Sequence, residues 1–198
     1  METIPLPPVY RPRPYQKPTA PLVKRHNTSM PDEASIASFI YSGSEKNLFS
    51  RTPILMLHGN GEEHGIFGRV IDAMVDRGYD VIAMDSRDQG ESTRGSGAFT
   101  YERMTADAAA VLDDLGVTRA HVLGFSDGGI EGLLLARDYV NKVASLTVIG
   151  ANLIPKAPET FLGFLNTWQL KDIGHDADTK VQPLRTAIRF QAHMKRQK

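Results

Sequence analysis

Two glycines bracket a serine at residues 124 to 128, with an apolar run leading into them and a helical pattern leading out. Gly124-Phe125-Ser126-Asp127-Gly128 follows the run Ala120 to Leu123 and precedes Ile130, Leu133, Leu134 and Leu135. A strand that reverses into a helix within so few residues makes a turn too tight for a side chain at either flanking position, so glycine fits there. The serine hydroxyl is left at the tip of that turn, above the end of a strand. The five-residue pattern alone arises often by chance. Its place between a strand and a helix makes it specific, and few chain folds other than a layered one can hold it.

The surrounding chain agrees. Ser35 to Tyr41 reads as a strand ended by Ser42-Gly43-Ser44, and Pro53 to Gly59 is a short continuous apolar run of the kind covered on both faces. Phe67, Val70, Ile71, Met74 and Val75 then share one helical face, closed by Gly78. Tyr79 to Asp85 is a further buried strand. Tyr101, Met104, Ala108, Val111, Leu112 and Leu115 repeat the helical spacing, with Thr100 as N-cap and Gly116 as stop. Arg119 to Phe125 feeds the serine turn, Ile130 to Tyr139 leaves it as a helix, and Val143 to Ile149 is one more strand. Strands alternating with amphipathic helices predict an α/β fold, a mainly parallel sheet with helices on both faces.

Three segments are expected. Residues 1–22 hold seven of the twelve prolines and form an extended leader, draped over the core or disordered. Residues 23–152 form the α/β core. Residues 153–198 lose the rhythm: Pro155 and Pro158 break the chain, Thr160 to Leu170 is helical, and Pro183 opens a helix to about Met194. This last part reads as a partial helical cap with no further buried strand.

Composition narrows the function classes. Lysine plus arginine equals aspartate plus glutamate, 23 of each among 198 residues, so no global field recruits nucleic acid or an anionic membrane. The absence of cysteine excludes disulfides, thiolate metal sites and a cysteine nucleophile. No apolar run approaches the roughly 20 residues that span a bilayer, and no signal-peptide core opens the chain. A cytoplasmic location is the expectation.

Over about residues 24–155 the chain resembles the α/β-hydrolase superfamily. His58-Gly59 follows a strand, Asp85-Ser86-Arg87-Asp88-Gln89-Gly90-Glu91-Ser92 follows the next, and the turn at Ser126 comes third. Three motifs in this order are more specific than any one. Asp88 stands where the family commonly has glycine, and aspartate tolerates a left-handed backbone better than most residues.

The resemblance implies acyl transfer on a small ester-like substrate, with Ser126 as nucleophile and no cofactor or metal. The amide of Asp127 at the start of its helix is one oxyanion donor, and by resemblance the amide of Asn60 is the second. Each such donor is typically worth about 3 kcal/mol of transition-state stabilisation. The Asp127 side chain has two readings: a partner for a substrate ammonium, or a carboxylate that accepts backbone hydrogen bonds and caps its helix. His58 belongs to the strand-end turn rather than to catalysis, and Asp85 and Arg87 brace the loop after their strand. Glu62, Glu63 and His64 are adjacent in sequence and do not share a helix face, so a solvated loop is expected there, not a metal site.

The family order is Ser, then Asp or Glu, then His. Asp172, Asp176, Asp178, His175 and His193 lie downstream of Ser126, but none follows a recognisable buried strand. The expectation is a hydrolase core that keeps its nucleophile and oxyanion hole and lacks the last strands and the acid–base pair. The Lys142 to Gly150 strand then becomes an apolar sheet edge that invites self-association. Two other readings compete: a non-catalytic fragment that binds a ligand or partner through the same pocket, and a scaffold whose proline-rich leader is the working part.

Overall fold

The computed structural model describes residues 15–151. The expected cap, its helices and the downstream Asp and His candidates lie outside the described residues, as does the first part of the leader.

Among the described residues six strands form one sheet: β1 Leu22–Ser29, β2 Ser35–Tyr41, β3 Ile54–Leu57, β4 Val81–Met84, β5 Ala120–Phe125 and β6 Val143–Ile149. Their order across the sheet is β1-β2-β4-β3-β5-β6. The four from β4 to β6 run parallel, while β2 pairs antiparallel with β4 and β1 antiparallel with β2. Three helices of the described residues cover it: α1 Gly68–Val75, preceded by a 3-10 turn at His64–Phe67, then α2 Tyr101–Asp114 and α3 Asp127–Asp138.

Because successive strand side chains point to opposite faces, each central strand feeds two cores. Leu55, Leu57, Ile82 and Met84 pack with α2 and α3 through Val111, Leu112 and Leu135. Ile54, Met56, Val81 and Ala83 pack on the other face against Phe67, Ile71 and Val75 of the 3-10 turn and α1. Full burial of such side chains contributes roughly 1.5–3 kcal/mol each. These two layers explain why the β3 and β4 segments read as continuous apolar runs.

Most expected elements appear within a residue or two, and Thr100 caps α2 by accepting from the Arg103 amide at 3.2 Å. Two differences have physical causes. The strand β1 carries Lys24, Arg25, His26 and Asn27 and lies at the sheet edge, where of its side chains only Thr28 is buried, so no apolar alternation marks it. The helix α3 begins at Asp127, not Ile130, because Gly128 and Gly129 sit inside it rather than before it.

Part of the leader is described. Thr19 and Ala20 donate their amides to Asp72 on α1 at 2.8 and 2.7 Å, the Thr19 hydroxyl adds a third bond, and Tyr15 donates to Glu62 at 2.8 Å. Residues 15–21 are therefore strapped across the α1 face.

Candidate active site

The strand–turn–helix around Ser126 is as sharp as its glycines require. A Cβ on Gly124 would lie 2.2 Å from the Gly128 carbonyl oxygen, and a Cβ on Gly128 would lie 2.1 Å from that of Leu57. No side chain fits at either position. Ser126 itself takes φ 51° and ψ −115°, a strained region for a non-glycine residue that costs of order 1–3 kcal/mol. Hydrogen bonds on both sides hold it there. Its amide donates to the Ile149 carbonyl at the end of β6 at 2.8 Å, and its own carbonyl accepts from Gly129 and Ile130 in the first turn of α3. The Ser126 hydroxyl is half-buried and makes no hydrogen bond to any described residue.

Next to the serine lies the turn after β3. A side chain on Gly59 would meet Ser126 Cβ at 3.1 Å and Glu62 Oε2 at 2.9 Å, so this turn and the serine touch. The Glu62 carboxylate accepts the Gly59 amide at 3.1 Å. His58 is buried, with Nδ1 2.8 Å from the Gly59 carbonyl oxygen and Nε2 accepting from the Ser86 amide at 2.9 Å. A nitrogen that accepts from an amide carries no proton, so the proton sits on Nδ1 and is donated to Gly59. Burial lowers the His58 pKa, against the opposing pull of the Gly59 carbonyl. With both nitrogens engaged in the fold, His58 is a strut.

That strut has a consequence for Asn60. The Gly59 carbonyl and the Asn60 N–H belong to one planar trans peptide and point in opposite directions. The His58 ring and the Glu62 amide both hold the carbonyl, which turns the Asn60 N–H the other way. Among the described residues, neither the Asn60 nor the Asp127 amide has an acceptor. Ser126, the N-cap residue of α3, makes no side-chain capping bond to the helix. Burial first, and the neighbouring Asp127 carboxylate next, raise the pKa of the Tyr101 hydroxyl at the start of α2.

The loop after β4 supports this arrangement. Asp85, fully buried, accepts from the amide and Nδ1 of His64 at 2.8 and 2.9 Å and from the Glu91 amide at 2.8 Å. Burial alone would raise its pKa, but the His64 and Glu91 hydrogen bonds outweigh that and lower it. The His64 ring stacks on Phe39 with centroids 3.6 Å apart. Arg87, also fully buried, forks onto Asp107 with two 2.8 Å bonds and onto Asp32 at 2.6 and 3.3 Å, and reaches the Arg94 carbonyl. Asp88 adopts φ 63°, the left-handed backbone expected where glycine is common. The sequence motif Asp85 to Ser92 is thus a brace, as expected.

A profile of the α/β-hydrolase fold matches residues 52–192. The chain belongs to the α/β-hydrolase family. Among curated relatives of this α/β hydrolase is a protein of Azorhizobium caulinodans named as a carbamate hydrolase, RutD, 40% identical over 98 residues that make up 50% of this chain and 37% of the relative. Rhodomycin D methylesterase DnrP of Streptomyces peucetius is 36% identical over 99 residues, 48% of this chain and 33% of its own length. Among solved structures, the N-acyl homoserine lactonase AidH complexed with N-butanoyl homoserine aligns with TM-score 0.56 and 26% identity over 65% of this chain and 45% of that one. The chain therefore spans less than half the length of each of these proteins.

None of the four described histidines is hydrogen-bonded to the Ser126 hydroxyl. His26 pairs with Asp114, His58 and His64 are engaged as above, and His121 meets Ser145 in the sheet. His175 and His193, with Asp172, Asp176 and Asp178, lie outside the described residues. Among the described residues no helix is long and apolar enough to cross a membrane, and no cluster of three or more His, Asp or Glu is placed to hold a metal ion.

Sequence reasoning missed one buried group beside this site. Glu131 on α3 is fully buried, with Ser86 Oγ 3.2 Å from its Oε1 and no partner for Oε2 among the described residues. The signal was available, because Glu131 lies three residues after Gly128 and four before Leu135, on the face that meets the sheet.

Proposed function

We propose that this α/β hydrolase is of the serine type, acting on a small ester-like acyl substrate through an acyl-enzyme. The observation that carries the reading is Ser126, strained at the tip of its turn, with a hydroxyl unengaged among the described residues and in contact with the Gly59 turn. Ser126 Oγ attacks the acyl carbon and its proton passes to a base. The carbonyl becomes an oxyanion that accepts from the Asn60 and Asp127 amides. The oxygen–carbon bond to the alcohol then breaks, the alcohol leaves with the proton, and water repeats the cycle to release the acid. Fixed donors aimed where charge develops need no reorganisation during the reaction, and this is the largest contribution expected here. Methylester, lactone and carbamate substrates in the names of the relatives support an acyl carbon as the point of attack.

Among the described residues no group is hydrogen-bonded to Ser126 Oγ as its base. Without one, removal of triad members elsewhere leaves roughly 10³ to 10⁴ of rate over water. A fluorophosphonate labels an activated serine stoichiometrically, and we expect one label on Ser126, lost in Ser126→Ala. No labelling of the 198-residue chain would favour instead a fragment that binds ligands without turning them over.

Asp127 also bears on substrate choice. Its carboxylate, at the start of α3, lies beside the Tyr101 hydroxyl, which supports a role in holding a substrate ammonium. Asp127→Asn should then lose more activity on cationic than on neutral esters, and equal losses on both would remove this role. A cytoplasmic location and self-association through the β6 edge belong to the same reading. The edge argument rests on β6 pairing only with β5 among the described residues.

A further inference from the structure

A chain of buried polar contacts runs from α3 to the turn beside Ser126. Ser86 Oγ donates to Glu131 Oε1 at 3.2 Å, the Ser86 amide donates to His58 Nε2 at 2.9 Å, and His58 Nδ1 meets the Gly59 carbonyl at 2.8 Å. Glu131, Ser86 and His58 are each at most 1% exposed. Glu131 lies on the helix that begins at the serine turn, so this chain ties that helix to the opposite wall of the site. We propose that Glu131 is a positioning residue that anchors Ser86, and through Ser86 selects the His58 tautomer that turns the Asn60 N–H toward Ser126. The inference rests on the hydrolase reading for its catalytic consequence, but not for the relay itself.

The geometry leaves few alternatives for Glu131. A glutamate with no exposed atoms and, among the described residues, one unpartnered carboxylate oxygen is a burden on stability unless it has a local task. Among the described residues no cation pairs with it, and Arg87 is committed to Asp107 and Asp32. The groups that face it are Asp107 from α2, Asp127 from its own helix and Ser86 from the loop after β4. Burial, helped by the charges on Asp107 and Asp127, pushes its pKa up to about 8, so it is a neutral acid at pH 7. In that state it accepts from the Ser86 hydroxyl without carrying a buried charge. A glutamine has the same shape and also stays neutral, so it can do the same work; a leucine cannot.

Nitrogen-15 NMR of the full chain reads the His58 tautomer directly, and fluorophosphonate labelling reads Ser126 separately. In the wild type and in Glu131→Gln, His58 should show a single Nδ1–H tautomer. In Glu131→Leu the two ring nitrogens should move toward averaged shifts, and labelling of Ser126 should slow by about tenfold or more, while Glu131→Gln stays within about threefold of the wild type. Ser86→Ala keeps the backbone amide that donates to His58 but removes the Oγ–Glu131 bond from its other side, so it should match Glu131→Leu, which keeps the test usable if the leucine variant does not fold. A folded Glu131→Leu or Ser86→Ala protein that keeps the wild-type tautomer overturns the proposal. If the wild type itself is never labelled, the serine-hydrolase reading fails while the tautomer still decides the relay.

Discussion

Replacing Gly128 by alanine tests the site at its tightest point. The added Cβ would lie 2.1 Å from the Leu57 carbonyl oxygen, 2.4 Å from its carbon and 2.6 Å from the His58 carbonyl oxygen. All three are backbone atoms at the end of β3, so no rotamer change relieves the contact. Restoring the closest Cβ···O distance to 3.0 Å requires α3 to retreat from β3 by about 0.9 Å. Overpacking that must be met by backbone movement falls at the upper end of its usual range, about 3 kcal/mol. The same retreat carries the Asp127 amide away from Asn60, and a displacement near 1 Å costs on the order of 10²-fold in rate. Gly61→Ala is the control. Its Cβ would meet nothing within 4 Å, and only its φ of 72° is unfavourable, for about 1 kcal/mol. Urea unfolding gives the two stabilities, and the rate of fluorophosphonate labelling gives the site geometry. A Gly128→Ala protein as stable as Gly61→Ala and labelled at the wild-type rate would refute the reasoning that close approach of α3 to β3 builds this site.

Three further outcomes follow from the same packing. Arg87→Ala leaves the buried Asp107 carboxylate without its forked partner, and breaking such a pair from one side costs about 3–5 kcal/mol; denaturant titration showing less than about 1 kcal/mol would mean the loop is braced by other contacts. Glu131→Gln should stabilise the protein increasingly as pH rises. The folded pKa of about 8 lies above that of a free glutamate, so the wild type is fully stable with respect to this group below the free value and loses stability as pH climbs toward 8. Thermal unfolding at pH 4, 6 and 8 checks this, and a difference that does not grow with pH contradicts it. Light scattering over a range of concentrations tests the β6 edge: Thr147 and Ile149 are exposed along it, and a monomer at every concentration would remove the self-association proposal.

Much of this molecule was legible in one dimension. Periodicity placed β2 to β6 and all three helices, because each strand buried on both faces must be apolar throughout and each helix that covers the sheet must carry an apolar stripe. The serine turn was legible for a steric reason, since Gly124 and Gly128 occupy space into which no other residue fits. The strand β1 was not, because an edge strand needs backbone partners more than apolar side chains. Nor was the face of α3. Of the Ile130, Leu133, Leu134 and Leu135 pattern that marked it, Ile130 and Leu133 are only half-buried, while Gly128, Gly129, Glu131 and Gly132 are buried with Leu134 and Leu135. Glycine adds nothing to a hydropathy pattern, although its lack of a side chain is what lets a helix lie close against a sheet.

By itself, then, the order of residues determined the layers, the direction of the sheet and the one hydroxyl raised above its rim, all of which depend on local spacing and local sterics. Only the tertiary structure decided which polar groups meet. Asp32, Arg87 and Asp107 are far apart along the chain, as are Gly59, Ser86 and Glu131, yet each set closes into one network. A buried polar group must find its partner wherever packing brings one, and that meeting is a property of the folded core rather than of any stretch of sequence.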